Sequence, residues 1–282
     1  MPELPEVETI AKQLNQVLVG RVIEKVEVLR EKSFGGNEDL LIGKKIESVG
    51  RRSKMMVIEF GDRDDVLLIH LKMTGQLVLV EGSKRTVGGH PTDDWVNELP
   101  SKHTRVIFDF KDGSRLFFND MRVFGWIKML RKNDLKKMWD RLPPDVVDDE
   151  FDTPFLKNVL SSSGRAVKLV ILDQKKMGGI GNIYANDALY LAKIDPRRQA
   201  NDLNDKEVKR LGKAIREVVN KGVELGGATY SSFVDSKGQG GRYQDHFLVY
   251  GKEGEKCSSC DEEIRKFKLM GRGTYWCLGC QR

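Results

Sequence analysis

The sequence predicts an α+β chain of more than one domain, on three observations. Short β-like runs separated by turn signals fill residues 22–130. Helical periodicity takes over after a proline-rich, acidic stretch at 142–154. All four cysteines fall after residue 256, as two C-x-x-C pairs. A chain of 282 residues has room for about two domains with a real core.

The elements follow in order. Val7, Ile10, Ala11, Leu14, Val17 and Leu18 share one helical face, and Gly20 stops the helix. Residues 22–29, 55–60, 66–73, 77–80, 105–110 and 115–118 read as strands, with Asp112-Gly113 as a hairpin turn. Many short strands of this kind indicate a β-sandwich or a barrel-like domain. Residues 82–102 read as a long surface excursion, and 142–154 as an interdomain linker. Beyond it, 155–160 and 166–172 are short helices, Gly178-Gly179-Ile180-Gly181 turns into a helix over 182–191, and Asn204 with Glu207 forms a capping box for a long helix. The expected division is 1–141, a linker at 142–154, a helical domain at 155–250 and a cysteine ribbon at 251–282.

Lys and Arg number 48 against 42 Asp and Glu, giving a net charge of +6 and a pI near 9.0, which favours a polyanionic partner. No apolar run is long enough to span a membrane, and the N-terminus lacks a secretory pattern, so a reducing cytoplasm is expected. There, cysteines are metal ligands or free thiols rather than disulfides. Cys257, Cys260, Cys277 and Cys280 have the spacing of a tetrahedral structural zinc site.

The N-terminus carries the strongest chemistry. A proline after the initiator methionine permits trimming, which leaves Pro2 with a free secondary amine. An α-amino group has a pKa of about 8 against about 10.4 for lysine, so its nucleophilic fraction near neutrality is roughly a hundredfold larger. A secondary amine attacking an aldehyde-like carbon gives an iminium, an electron sink. Glu3 and Glu6 place a general acid and an orienting carboxylate beside it. The alternative is an ordinary helix entry, which Pro and Glu also suit. Elsewhere, Arg51-Arg52-Ser53-Lys54, the run from His70 to Gly75 and the run from Asp120 to Gly125 sit at strand ends. They place Met73, Arg122 and Phe124 on loops, where apolar side chains beside an arginine can wedge between stacked bases. The Gly179-Ile180-Gly181-Asn182 turn and Arg272, at a hairpin tip, are candidate phosphate contacts.

Taken together, Pro2-Glu3-Leu4-Pro5-Glu6-Val7-Glu8, Arg51 to Lys54, His70 to Gly75, Asp120 to Gly125, Leu172-Asp173-Gln174 with Gly179 to Tyr184, and the cysteine ribbon resemble the formamidopyrimidine-DNA glycosylases, in the larger group shared with endonuclease VIII. The resemblance runs the full length, and Leu4 favours the formamidopyrimidine branch. It implies a β-sandwich lobe and a helix–two-turn–helix lobe with a zinc ribbon, acting as a monomer on double-stranded DNA that holds oxidised purines or abasic sites. It implies that Pro2 attacks C1′ of the damaged nucleotide, that Glu3 moves protons and that Glu6 orients the site. Lys54, His70, Asn182 and Arg272 would grip phosphates, and Met73, Arg122 and Phe124 would fill the hole left by the flipped base. Thr229, Tyr230 and Ser231 would lie in the loop that caps that base. The sequence departs from the family's pattern at Val123, where a second basic residue is usual, at Asp187, where glutamate is usual, and at Ser231, where arginine is usual. The last departure implies weaker 8-oxoguanine excision beside robust formamidopyrimidine activity. Competing readings are an endonuclease VIII-like activity on oxidised pyrimidines, a non-catalytic DNA-binding relative, and a zinc-ribbon protein on ribosomal RNA.

Overall fold

The computed structural model describes residues 2–61, 64–89, 98–228 and 241–282. The chain divides into two compact units, Met1–Arg141 with Leu225–Arg242, and Leu142–Glu224 with Tyr243–Arg282.

Unit 1 opens with helix α1 (Leu4–Leu18), started by Pro5 in its first turn. Ten strands follow among the described residues: β1 (Ile23–Val28), β2 (Phe34–Gly35), β3 (Ile46–Arg52), β4 (Met55–Phe60), β5 (Asp65–His70), β6 (Gly75–Glu81), β7 (Lys84–Gly89), β8 (Thr104–Phe110), β9 (Arg115–Asp120) and β10 (Trp126–Arg131). They form two five-stranded sheets, ordered β1-β8-β9-β6-β7 and β2-β10-β5-β4-β3. Val7, Ile10, Leu14 and Leu18 of α1 join Met56, Ile58, Leu67 and Ile69 of one sheet and Leu77, Leu79, Phe108 and Phe118 of the other in a single core. Burial of this kind is worth about 1.5–3 kcal/mol for each large apolar side chain, and it fixes the helix that carries the N-terminus. Gly88 of β7 lets α1 approach, because a Cβ there would lie 2.7 Å from Ile10 Cγ2. Helix α2 (Lys132–Trp139) lays Leu135 on the outer face of β4 and β5, against Val57, Val66 and Leu68.

Two stretches differ from the sequence reading. The excursion at 82–102 contains strand β7, paired along β6. It lacks an alternating apolar pattern because one face is satisfied by Val87 and the other by glycine at the helix contact. Residues 142–154 hold buried Val146 and Phe151 and hydrogen bond to Gly178, so they are packed into unit 2.

Unit 2 contains helices α3 (Thr153–Ser161), α4 (Val167–Ile171), α5 (Asn182–Leu191) and α6 (Asp205–Glu224), then strands β11 (Ile264–Leu269) and β12 (Arg272–Cys277). The α6 capping box is formed: Asn204 N–H donates to Glu207 Oε2 at 3.0 Å and Glu207 N–H to Asn204 Oδ1 at 3.1 Å. No helix among the described residues is long and apolar enough to cross a membrane.

Candidate functional site

In unit 1 the site begins at the first turn of α1. Pro2, Glu3 and Glu6 are buried. The Glu3 backbone N–H donates to Glu6 Oε2 at 2.7 Å, and the Glu3 carboxylate closes the reciprocal half of a capping box. Glu6 Oε1 accepts from the Ala228 N–H at 2.8 Å. Gly227 has φ +85°, and a Cβ there would lie 2.7 Å from Glu6 Oε1, so only glycine fits this approach. Glu6 therefore fixes the backbone around Glu3 and holds a distant segment of the same unit. Both carboxylates sit at the positive end of the helix dipole.

Lys54 is buried at the β3–β4 turn, which needs the left-handed φ of 54° at Ser53. Beside it, Arg51 Nε bonds Glu8 Oε2 at 2.5 Å, so Arg51 braces this turn against α1. His70 ends β5. Its Nδ1 accepts the Lys72 N–H at 3.0 Å, and its ring meets Trp126 edge-on at 5.7 Å. Burial, then the charges of Lys72 and Lys54, push the imidazole pKa down to about 3. His70 is thus neutral at pH 7 with its proton on Nε2, a hydrogen-bond donor without charge.

Met73 and Phe124 are exposed on neighbouring loops. Arg122 joins them, with Nη1 3.1 Å from Met73 Sδ and its guanidinium 4.7 Å from the centre of the Phe124 ring. Val123, between Arg122 and Phe124, holds φ at 55°, a conformation that a β-branched residue rarely adopts.

In unit 2 the Gly178–Gly181 turn is held by Gln174, whose Oε1 accepts from Gly179 N–H at 3.1 Å and whose Nε2 donates to Ile180 O at 2.8 Å. Asn182, the first residue of α5, donates from Nδ2 to Gly273 O at 3.1 Å. That contact ties it to the β11–β12 hairpin, where Arg272 is exposed. The sequence reading missed the anchor beneath. Lys168 is fully buried, and its Nζ donates to Gly273 O (2.9 Å), Thr274 Oγ1 (2.8 Å) and Asn186 Oδ1 (3.1 Å). An ammonium with three acceptors satisfies all its protons, which is what allows a lysine to be buried. Asp187 accepts from Val249 N–H, Tyr250 N–H and Tyr243 Oη; burial raises its pKa despite these bonds.

The ligand atoms of Cys257, Cys260, Cys277 and Cys280 all lie within 4.8 Å of one another, with Cys257–Cys280 at 3.7 Å and Cys260–Cys277 at 3.3 Å. The thiols are free of disulfides, and sulfurs around one tetrahedral ion at about 2.3 Å would stand close to these separations. The cluster can hold a metal ion. Thr229, Tyr230 and Ser231 lie outside the described residues.

A helix-led β-sandwich unit and a helical unit with a four-thiol ribbon together define the class of fold. The family model for the formamidopyrimidine-DNA glycosylase N-terminal domain matches residues 1–127, and that for its H2TH domain matches 142–234. A formamidopyrimidine-DNA glycosylase of Pelotomaculum thermopropionicum is 38% identical over 100% of this chain and 99% of its own, and one of Listeria innocua 36% over 100% of both. The structure of Lactococcus lactis Fpg with DNA containing an abasic site covers 100% of both chains with a TM-score of 0.87 and 31% identity. Thermus thermophilus MutM (Fpg) reaches 0.86 at 34% identity, over 99% of this chain and 98% of its own. The chain belongs to the formamidopyrimidine-DNA glycosylase family.

Proposed function

We propose that this chain is a bifunctional base-excision enzyme, a DNA glycosylase with AP lyase activity, that removes ring-opened and oxidised purines through the amine of Pro2. The observation that carries the reading is the arrangement at α1: a proline one residue from the start, followed by two buried glutamates locked by their own capping box. In this reading the trimmed Pro2 nitrogen attacks C1′ and the base departs. Glu3 protonates the ring oxygen, and the resulting iminium acidifies the adjacent sugar carbon. Strand cleavage follows by β- and then δ-elimination, with Glu3 moving protons and Glu6 holding the geometry.

Lys54, His70, Asn182 and Arg272 take the phosphates around the extruded nucleotide. Met73, Arg122 and Phe124 take its place in the stack, which offsets the few kcal/mol that extrusion costs. The lesion class and the DNA follow from the family; the Lactococcus lactis relative is seen with abasic DNA. The cysteine cluster takes one zinc ion, which with four thiolates has no open position and crosslinks the ribbon. Unit 1 then supplies the chemistry and, through 225–242, the cap, and unit 2 supplies the grip and, at 251–282, the ribbon. An enzyme of this kind works beside the chromosome, in the cytoplasm.

The test is borohydride trapping on duplex DNA with a formamidopyrimidine or an abasic site, with mass spectrometry of the active protein. The expected outcome is a covalent adduct at Pro2 in protein that has lost Met1. Full activity in protein that retains Met1 overturns the mechanism.

A further inference from the structure

Asp120, the last residue of β9, is fully buried. Its carboxylate meets two different loops. Oδ1 accepts from the Thr74 hydroxyl and, at 3.2 Å, from the Arg122 N–H; Oδ2 accepts from the Gly125 N–H at 2.7 Å. The Thr74 oxygen also accepts from Arg122 N–H at 3.1 Å, which closes the set. Thr74 adjoins Met73, and Arg122 and Gly125 bracket Phe124. The backbone of Asp120 is itself held, its N–H by His103 O at 2.9 Å and its C=O by Arg105 Nε at 2.8 Å.

A carboxylate suits this place because both oxygens are acceptors and all the groups facing them are donors. An asparagine would turn an NH₂ toward one of those donors. The donors to the carboxylate come from the two loops; Arg105, bonded to the Asp120 carbonyl, adds charge attraction but no hydrogen bond to the carboxylate oxygens, so those bonds are spent on loop geometry.

We propose that Asp120, through Thr74, is the positioning residue that joins the Met73 loop and the Arg122–Phe124 loop into one preformed wedge, and so sets discrimination of the base left opposite the lesion. The proposal rests on the reading of Met73, Arg122 and Phe124 as the groups that enter the stack. Exposed side chains on two independent loops would have to be ordered at each encounter with DNA; tying both loops to one buried group removes most of that entropy from the binding step. It also fixes where the Arg122 guanidinium, which offers only donors, meets the orphan base.

The experiment is single-turnover excision of 8-oxoguanine opposite cytosine and opposite adenine by the full-length enzyme. Each rate is referenced to cleavage of a single-stranded abasic oligonucleotide by the same variant, which normalises loss of folded protein. Thr74→Val keeps the shape and removes the hydroxyl, and Thr74→Ser restores it. Asp120→Asn and Arg122→Ala complete the set.

The cytosine-to-adenine preference is expected to fall roughly tenfold in Thr74→Val and in Asp120→Asn, the scale of one lost charge-assisted hydrogen bond. Thr74→Ser is expected to recover it. If Asp120→Asn does not fold, the Thr74 pair decides. Loss of preference in Arg122→Ala with full preference in Thr74→Val overturns the clamp alone. Full preference in Arg122→Ala overturns the wedge reading, and the clamp with it.

Discussion

Helices α1 and α5 both begin at residues assigned to the site, yet α1 opens with Glu3 and Glu6, whereas α5 opens on Gly181 and Asn182 with no acidic residue in its first turn. The backbone presents the same partial positive charge at both places. In α1 the chain's own carboxylates occupy it, with Glu6 accepting from the Glu3 and Ala228 backbone N–H groups. In α5 that end carries only a neutral amide side chain, braced by Gly273, and favours an anion from outside. Under the proposed function, one feature of the helix serves chemistry in unit 1 and grip in unit 2, and the acidic residues decide which.

The largest effect should come from breaking the α1 side. Glu3→Gln keeps the size and removes the proton chemistry; base excision should fall by about 10²–10⁴-fold while affinity for abasic duplex holds, read by single-turnover kinetics and gel shift. Removal of metal comes next. Cys277→Ser, or a strong chelator, should disorder the ribbon and with it the hairpin that Asn182 and Lys168 hold, so DNA binding is lost. The apolar core of unit 1 lies elsewhere, and its melting transition should persist in calorimetry.

The α5 side can be sharpened by salt. Arg272→Ala should lower the slope of log affinity against log salt by about 0.9, one phosphate charge, whereas Asn182→Ala should weaken binding at an unchanged slope. His70 belongs with Asn182 in this respect. Its folded pKa lies at about 3, below the ordinary value of 6.5, so above pH 6.5 it adds no pH dependence to stability. Between 6.5 and 3 the unfolded chain binds the extra proton, and His70 makes the protein less stable as pH falls. His70→Gln should flatten that part of the profile in denaturant titrations. The smallest expected change is a gain: Val123→Gly relieves a left-handed β-branched residue and should stabilise unit 1 by about 0.5–1 kcal/mol after the glycine's own entropy, read as a shift in Tm.

Much of this was legible in the chain because local patterns agree with the fold. The α1 face, β4, the α5 boundaries and the α6 capping box stand where periodicity and capping place them. Strand β3 was harder, since it ends in Arg51-Arg52 and reads as a charge cluster. The contacts that support the site were not legible. Lys168, Thr74 and Asp120 look like solvated residues in sequence, and only tertiary partners far along the chain make their burial favourable. The proposed opposite-base selection by Arg122 rests on the same placement, since sequence gives its donors but not where they are held.

The bond from Ala228 to Glu6 spans 222 positions. At synthesis rates of about 5–20 residues per second, roughly 10–45 s separate the emergence of Pro2 from that of Ala228. Throughout that interval the first turn of α1 lacks its final clasp. A nascent chain that stalls before residue 228 carries the first turn of α1 without that clasp.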